Sequence, residues 1–318
     1  MKYLSIDIGG TFIKYSIITQ EAKIIEKSKV KTPREENEGT LKDFINILVD
    51  IYDEYRGEVD GVAISMPGML DSNTGYLYTS GSLEYASNIN IIQLLKDKID
   101  VPITVENDGK CAALAELWQG ELVNVDNGAV VVLGTGVAGG IIINGKLHKG
   151  RHFSAGEFSY IVDGSENITE LNSYWGIISS VTKLIELVAE QIGIHQDELD
   201  GEKIFEMANR GDKKVLKALD IYAKNLAIKI YNLQVLLDLD LIAIGGGISQ
   251  QPLLLDYINK NIDDFIKVNP LREIGPIIPT PKVTTCRYFN DSNLIGALYH
   301  HLNQQEMLNV RRGDKYVI

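Results

Sequence analysis

The segment Asp7-Ile8-Gly9-Gly10-Thr11 pairs a carboxylate with two glycines and a hydroxyl. Glycine has no Cβ, so Gly9 and Gly10 let backbone amides approach an anion closely, and Thr11 offers its hydroxyl to a phosphate. Asp7 ends a predicted strand, where a carboxylate can hold Mg²⁺ through water. Lys14 adds a point charge near such phosphates. Taken alone, a plain hairpin turn also explains the segment. Leu133-Gly134-Thr135-Gly136 repeats the arrangement in the second half of the chain. Two such loops at corresponding places can grip a polyphosphate from both sides. A third run, Gly245-Gly246-Gly247-Ile248, follows a predicted strand and precedes a helix. It suits close approach to a flat ligand such as an adenine-ribose, or an anion at the helix N-terminus. Tight strand–helix packing is its alternative. The run is not a dinucleotide fingerprint, because the Gly-x-Gly-x-x-Gly spacing is missing.

Val105-Glu106-Asn107-Asp108-Gly109 closes a predicted strand and opens a helix. A carboxylate there can accept the proton of a hydroxyl whose oxygen attacks phosphorus. Asn107 beside it can both donate to and accept from sugar hydroxyls. The competing reading is that Asp108 only caps the helix that follows. Ser154-Ala155-Gly156-Glu157-Phe158-Ser159-Tyr160 sets Glu157 in a loop, where a merely solvated carboxylate is the ordinary case. His148 and His152 precede it, but no cysteine follows to complete a metal set.

The elements that must position these groups alternate in a readable way. Lys2–Ile8, Phe12–Thr19 and Lys23–Val30 are predicted strands, then a helix over Thr40–Tyr55 and a strand over Val59–Ser65 ending at Met66-Pro67-Gly68. Helix Ile89–Lys98, strand Val101–Val105 and helix Lys110–Trp118 follow. From Gly128 the pattern restarts: strands Ala129–Leu133 and Gly140–Ile143, with Asn144-Gly145 as a tight hairpin. Helices over Trp175–Ile192, Lys203–Asn209 and Lys213–Leu237 come next. The chain then runs through strand Leu241–Ile244, helix Pro252–Ile266, strand Lys282–Cys286 and a last helix near Asn293–Leu302. A topology that occurs twice predicts two related α/β domains facing a shared cleft. Their expected spans are 1–115 with the C-terminal helix of about 293–318, and 116–292.

The bulk properties narrow the partners. The chain has 318 residues and a formal net charge of -12, from 43 acidic against 31 basic side chains. A nucleic-acid binder needs a basic surface, so DNA and RNA are not expected partners. A nucleotide is still admissible, since a few local amides and a metal hold it. Cys111 and Cys286 lie far apart in apolar stretches and are expected to be buried thiols rather than a disulfide. No stretch approaches the ~20 apolar residues of a membrane span, and the N-terminal sequence has no leader pattern. A cytoplasmic location, away from membranes, is the expectation.

Together these segments resemble the ROK family of sugar kinases, within the superfamily of actin-like, hexokinase-like and chaperone-like ATPases. The resemblance runs from Tyr3 to about Leu302 and rests on Asp7–Thr11, Glu106-Asn107-Asp108, Leu133–Gly136, Ala155-Gly156-Glu157 and Gly245–Gly247 in order. Asn290–Ala297 also looks like the family's closing helix. The resemblance implies an α/β, two-domain, actin-like (ribonuclease H-like) fold with an interdomain cleft. It implies ATP-dependent phosphorylation of a hexose-type hydroxyl, with Asp108 as general base. Asn107 and Glu157 would bind sugar hydroxyls, Asn88 would reach the sugar, and Gly68 would line its pocket. The Asp7 and Gly134 loops would hold the phosphates with Mg²⁺, and Gly246 with its neighbours would flank the adenosine. A homodimer is what the family suggests. A sugar-sensing protein with weak catalysis is the alternative.

The departures from the family pattern concern the sugar end. Many members follow the Gly-Glu loop with a His and then a three-cysteine zinc cluster. Here Tyr160 stands in place of that His, and 161–174 holds no cysteine, so no structural zinc is expected. A second sugar-binding Glu is replaced by Asn172, with Glu170 close by as the alternative alignment. The loss of two polar contacts near the anomeric and C2 positions suits a sugar with a bulky group there, such as a β-glucoside, with an N-acetylated hexosamine also open.

Overall fold

The computed structural model describes residues 1–34, 40–162, 169–275 and 278–313, with side chains through 305. The chain opens with β1 (Lys2–Ile8), β2 (Phe12–Thr19), β3 (Ile24–Lys31) and α1 (Leu41–Asp53), then β4 (Val62–Met66). Three two-residue strands follow, β5 (Leu70–Asp71), β6 (Tyr76–Leu77) and β7 (Ile89–Asn90), then α2 (Ile91–Leu95), β8 (Ile103–Asn107) and α3 (Asp108–Gln119). The second half runs β9 (Gly128–Leu133), β10 (Val137–Ile143), β11 (Lys146–His148), α4 (Trp175–Ile178), α5 (Val181–Ile192), α6 (Gly201–Asn209) and α7 (Lys213–Leu237). It closes with β12 (Leu241–Gly245), α8 (Pro252–Val268), β13 (Val283–Thr285) and α9 (Ser292–Gly313).

Two compact units result. The first comprises Met1–Trp118, Lys149–Ala155 and the chain from Asp291 on; the second comprises Gln119–His148 and Gly156–Asn290. The segment Lys149–Ala155, which the sequence reading leaves in the second domain, packs with the first unit. The expected end of the last helix, 314–318, lies outside the described residues, as do the side chains of the polar run after Gln305.

The first unit is built on a sheet of order β3-β2-β1-β4-β8, antiparallel through β1–β3 and parallel from β1 to β8. Its strands alternate with period two. Leu4, Ile6, Ile8, Val62, Ile64, Met66 and Val105 join α1 and α2 in one buried apolar cluster. The intervening Ser5, Asp7, Ser65, Thr104 and Glu106 are buried polar residues. Several of them bond α9: Ser5 Oγ donates to the Leu294 carbonyl at 2.6 Å, and Thr104 Oγ1 pairs with His301 Nδ1 at 3.0 Å. The helix can approach because of Gly296, where an added Cβ would collide with the Cys111 carbonyl of α3. Cys111 and Cys286 are buried and free.

The second unit repeats the topology as β11-β10-β9-β12-β13, an antiparallel meander followed by two parallel strands. Its core is larger, with Trp175, Phe205, Tyr222, Ile242 and Ile258 in one cluster around α7. One predicted helix is corrected here. Trp175–Ile192 is two helices, because Ser180 has extended backbone and its hydroxyl accepts from Lys183 N at 3.0 Å, capping α5 afresh. Likewise Ile89–Lys98 begins as β7 and is helical only over α2, whose N-cap Asn90 accepts from Gln93 N. Among the described residues no helix is long and apolar enough to cross a membrane.

Candidate active site

In the first unit, register brings the polar ends of three strands together: Asp7 of β1 pairs with Ser65 of β4, and Ser65 with Glu106 of β8. The Asp7 carboxylate is buried. Its Oδ1 accepts from Ser65 Oγ at 3.1 Å and from Asn293 Nδ2 of α9 at 2.9 Å. Lys14, opposite Asp7 on β2, brings its Nζ to 3.9 Å from Oδ2 and stays half exposed. Burial pushes the Asp7 pKa up, and the Asn293 bond, the Lys14 charge and the Ser65 bond only partly offset it. A buried carboxylate whose charge is costly suits a cation nearby. Among the described residues no group of three or more His, Cys, Asp or Glu side chains could hold a metal ion. Mg²⁺ is commonly held by one or two carboxylates and keeps several waters, so Asp7 alone could anchor it.

The Gly9–Thr11 turn is pinned from the side. Gly9 N donates to Phe12 O at 3.1 Å, and Thr32 Oγ1 donates to Gly9 O at 2.7 Å. Arg34 donates through Nε to Gly10 O at 2.5 Å and through Nη2 to Thr11 Oγ1 at 3.1 Å. A Cβ at Gly10 would stand 2.6 Å from Ser82 Oγ. Thr11 itself is exposed.

At the β8–α3 junction the helix-capping question resolves in an unexpected way. Asn107 Oδ1 accepts from Lys110 N at 3.1 Å, which is the capping bond of α3. Asn107 Nδ2 donates to Gly68 O and to Asp108 Oδ1, each at 3.0 Å. Asp108 is the first helical residue, and its Oδ1 also accepts from Gly109 N at 2.8 Å. Capping thus belongs to Asn107. Gly68 must be glycine: φ is +93° and a Cβ would collide with the Thr79 carbonyl. Asn88 is exposed at φ +59°, just ahead of β7.

In the second unit, Glu157 precedes a 3₁₀ turn, Phe158–Tyr160. Phe158 is buried against Trp175, with ring centroids 5.2 Å apart. Ser159 Oγ accepts from Val137 N at 3.0 Å and donates to Val137 O at 2.9 Å, tying this turn to the start of β10. With those two residues directed inward, Tyr160 is left 73% exposed. Tyr160 N donates to Glu157 O at 3.1 Å, so the turn brings the backbones of the two residues together. Asn172 lies in a second 3₁₀ turn, Leu171–Ser173, with Glu170 just before it, and both side chains are exposed. A bridge between Val162 and Tyr174 holds the two turns near each other.

The same unit contains a pocket of about 740 Å³. Gly134 and Thr135 line it from the β9–β10 turn, Gly201 and Phe205 from α6, and Gly247 and Gln251 from the turn after β12. Asp200 and Glu202 also line it, and among the described residues no Lys or Arg does. Such a lining suits a neutral base and ribose hydroxyls, leaving the phosphates to the Gly134 side. The three glycines divide their work. Gly246 has φ +93° and packs where a Cβ would collide with the Leu133 carbonyl, and Gly245 sits against Cys286. Gly247 faces open space. Gly134 N donates to Gly136 O at 3.0 Å and Gly134 O accepts from Val181 N at 2.8 Å, joining this turn to the N-terminus of α5. Ser65, Arg34 and the α6 residues were not marked by the sequence, and Asn293 only as part of the closing-helix segment, since each lies far from the motif it serves.

Comparison with known proteins bears on all of this. The model of the ROK family matches residues 3–303. A β-glucoside kinase of Listeria monocytogenes is 29% identical over 308 residues, covering 96% of this chain and 99% of the relative. A ROK family protein from Streptococcus pneumoniae TIGR4, solved in complex with sucrose, is 33% identical with a TM-score of 0.83, covering 96% of this chain and 100% of that one. A ROK family glucokinase from Streptomyces griseus, solved with glucose and AMPPNP, shares the fold at 24% identity and a TM-score of 0.78, covering 94% and 98%.

Proposed function

The chain belongs to the ROK family, has its actin-like sugar kinase fold and is an ATP-dependent sugar kinase, and from that premise we propose that it phosphorylates a β-glucoside in the cytoplasm. The observation that carries the site assignment is the capping pattern: Asn107 caps α3, so Asp108 is not needed for that work. Asp108 then accepts the proton of the sugar hydroxyl. That oxygen forms its bond to the γ-phosphorus as the bond to the β-phosphate oxygen breaks, and ADP leaves. Catalysis of this kind is mostly positioning and charge stabilisation.

Asn107 and Glu157 bind sugar hydroxyls in this reading, with Gly68 and Asn88 lining the sugar side. Thr11, Lys14 and the amides of Gly9, Gly10, Gly134, Thr135 and Gly136 face the phosphates. Gly247 opens onto the nucleoside, and Gly245 and Gly246 hold it in place. When bound, Mg²⁺ would neutralise charge on the phosphate oxygens; Asp7 would hold it through water.

The substrate class rests on Tyr160. An exposed aromatic ring in the turn that follows Glu157 offers a flat apolar face to the second group of a glycoside, and Asn172 adds no charge. The relative named as a β-glucoside kinase supports the same class. Sugar-dependent ADP release with ATP·Mg²⁺, measured across glucose, N-acetylmannosamine, fructose and cellobiose, tests it. Preference for cellobiose supports the reading, and preference for free glucose would sink it.

A further inference from the structure

Behind the Asn107–Asp108 turn lies a charged pair that the roles above leave unused. Glu106 is 1% exposed, and its Oε2 lies 2.6 Å from Nζ of Lys149. Lys149 begins the segment that packs into the first unit, and its Nζ also donates to Ser72 Oγ at 2.6 Å. The other oxygen, Oε1, accepts from the backbone N–H of Asn107 at 2.9 Å. His300 of α9 stands 3.7 Å from Oε2, but burial keeps it neutral, so Lys149 is the cation that answers the Glu106 charge. The chain of contacts runs from Ser72 to Lys149, to the Glu106 carboxylate, to the Asn107 amide and, through Asn107 Nδ2, to Asp108 Oδ1.

A buried ion pair is a poor way to gain stability, because desolvation of both charges offsets most of their attraction. An apolar pair of similar volume would fill the same space. What the charged pair does, and an apolar one could not, is fix the backbone of the residue that caps α3 by a charge-assisted hydrogen bond. Asn107 has two further anchors, Gly68 O and Lys110 N, which set its side chain. The Glu106 bond holds the N–H of the peptide that joins Glu106 to Asn107, at the end of β8 and one peptide ahead of Asp108.

We propose that Glu106 and Lys149 are positioning residues for phosphoryl transfer: together they hold the Asn107 peptide so that the Asp108 carboxylate meets the substrate hydroxyl. This rests on Asp108 being the proton acceptor. The Ser72 hydroxyl tethers the lysine, and His300 walls the carboxylate off from water without competing for its charge.

The test is steady-state kinetics with cellobiose and ATP·Mg²⁺, glucose replacing cellobiose if the disaccharide is not turned over, with Tm recorded for every variant. Lys149→Met and Glu106→Gln should each lose about 10- to 100-fold in kcat, since small misplacement of a reacting group costs that much. KM for sugar and nucleotide should stay within about threefold, and Lys149→Arg should recover most of the lost kcat. Ser72→Ala, which keeps both charges, should lose about threefold, and it carries the test should Lys149→Met fail to fold. A Lys149→Met enzyme within twofold of the parent kcat overturns the proposal, as does a Lys149→Arg variant no better than Lys149→Met, or unchanged kcat in Ser72→Ala when Lys149→Met does not fold. Asp108→Asn run alongside separates the readings. If it is inactive while Lys149→Met is active, only the positioning role falls; if it turns over normally, the base assignment falls and takes this proposal with it.

Discussion

In the proposed reading, Asn107 caps α3 and Asp108 accepts the proton, two tasks that one acid is often asked to do. Because Asn107 makes the capping bond to Lys110 N, replacing Asp108 should leave α3 and the sugar contacts in place. Asp108→Asn is therefore expected to keep sugar affinity near normal in calorimetry while kcat falls by about 10² to 10⁴, the usual worth of a general base. A drop in affinity matching the drop in rate would count against that division. Tyr160 and Asn172 pose the specificity question at the same scale. In the proposed reading, Tyr160→His with Asn172→Glu would add two polar contacts at one end of the sugar. The ratio of kcat/KM for glucose over cellobiose should rise by about tenfold or more, one good hydrogen bond's worth. An unchanged ratio would remove these positions from the list of specificity determinants.

The elements that present these residues depend on close backbone approach more than on helix or strand propensity. After β12, three consecutive glycines face three different surroundings, which a sequence of identical letters cannot express. Gly246 has φ +93° and abuts the Leu133 carbonyl, whereas Gly247 faces the pocket with nothing within reach of a Cβ. Gly246→Ala should thus destabilise the fold by about 2–4 kcal/mol in chemical denaturation, through strain and overlap together. Gly247→Ala should leave stability within about 0.5 kcal/mol and instead raise KM for ATP several-fold. Equal effects of the two on stability would contradict this division. The break between α4 and α5 has the same local character. Apolar periodicity continues across Ser179-Ser180, but the Ser180 hydroxyl offers Lys183 N a partner and starts a new helix.

The first unit buries two adjacent histidines where α9 crosses the sheet, and this sets how the whole molecule responds to acid. Burial lowers the pKa of both His300 and His301 to about 4. His300 faces Glu106, Lys149 and His301, while His301 faces Thr104 and the Tyr3 ring. An unfolded histidine titrates near 6.5, so between about pH 6.5 and 4 the unfolded chain binds more protons than the folded one. Stability should therefore fall as pH drops through that window, by up to about 1.4 kcal/mol per unit for each histidine. Asp7, whose pKa burial raises, acts with the opposite sign toward the acid end. Comparing denaturation of the parent with His301→Gln, which retains an acceptor for Thr104, isolates one histidine: the slope should shrink by up to about 1.4 kcal/mol per pH unit, and an unchanged slope would mean that His301 is already charged when folded. Much of the fold and several of the groups discussed here are legible in the sequence, because their signals are local. Strands β1 and β2 and helix α7 follow from periodicity, and the glycine turns and the Asn107-Asp108 pair announce themselves by composition. Those signals say what chemistry is at hand. They do not say that Ser65 and Asn293 share one carboxylate with Asp7 across 58 and 286 positions, or that Lys149 reaches back to Glu106. Burial and partner choice are properties of the packed chain, since desolvation and hydrogen-bond satisfaction depend on which distant residues the fold brings within 3 Å. The sequence names candidate groups by local pattern, and only the tertiary structure decides which of them cap a helix and which distant partners they bond.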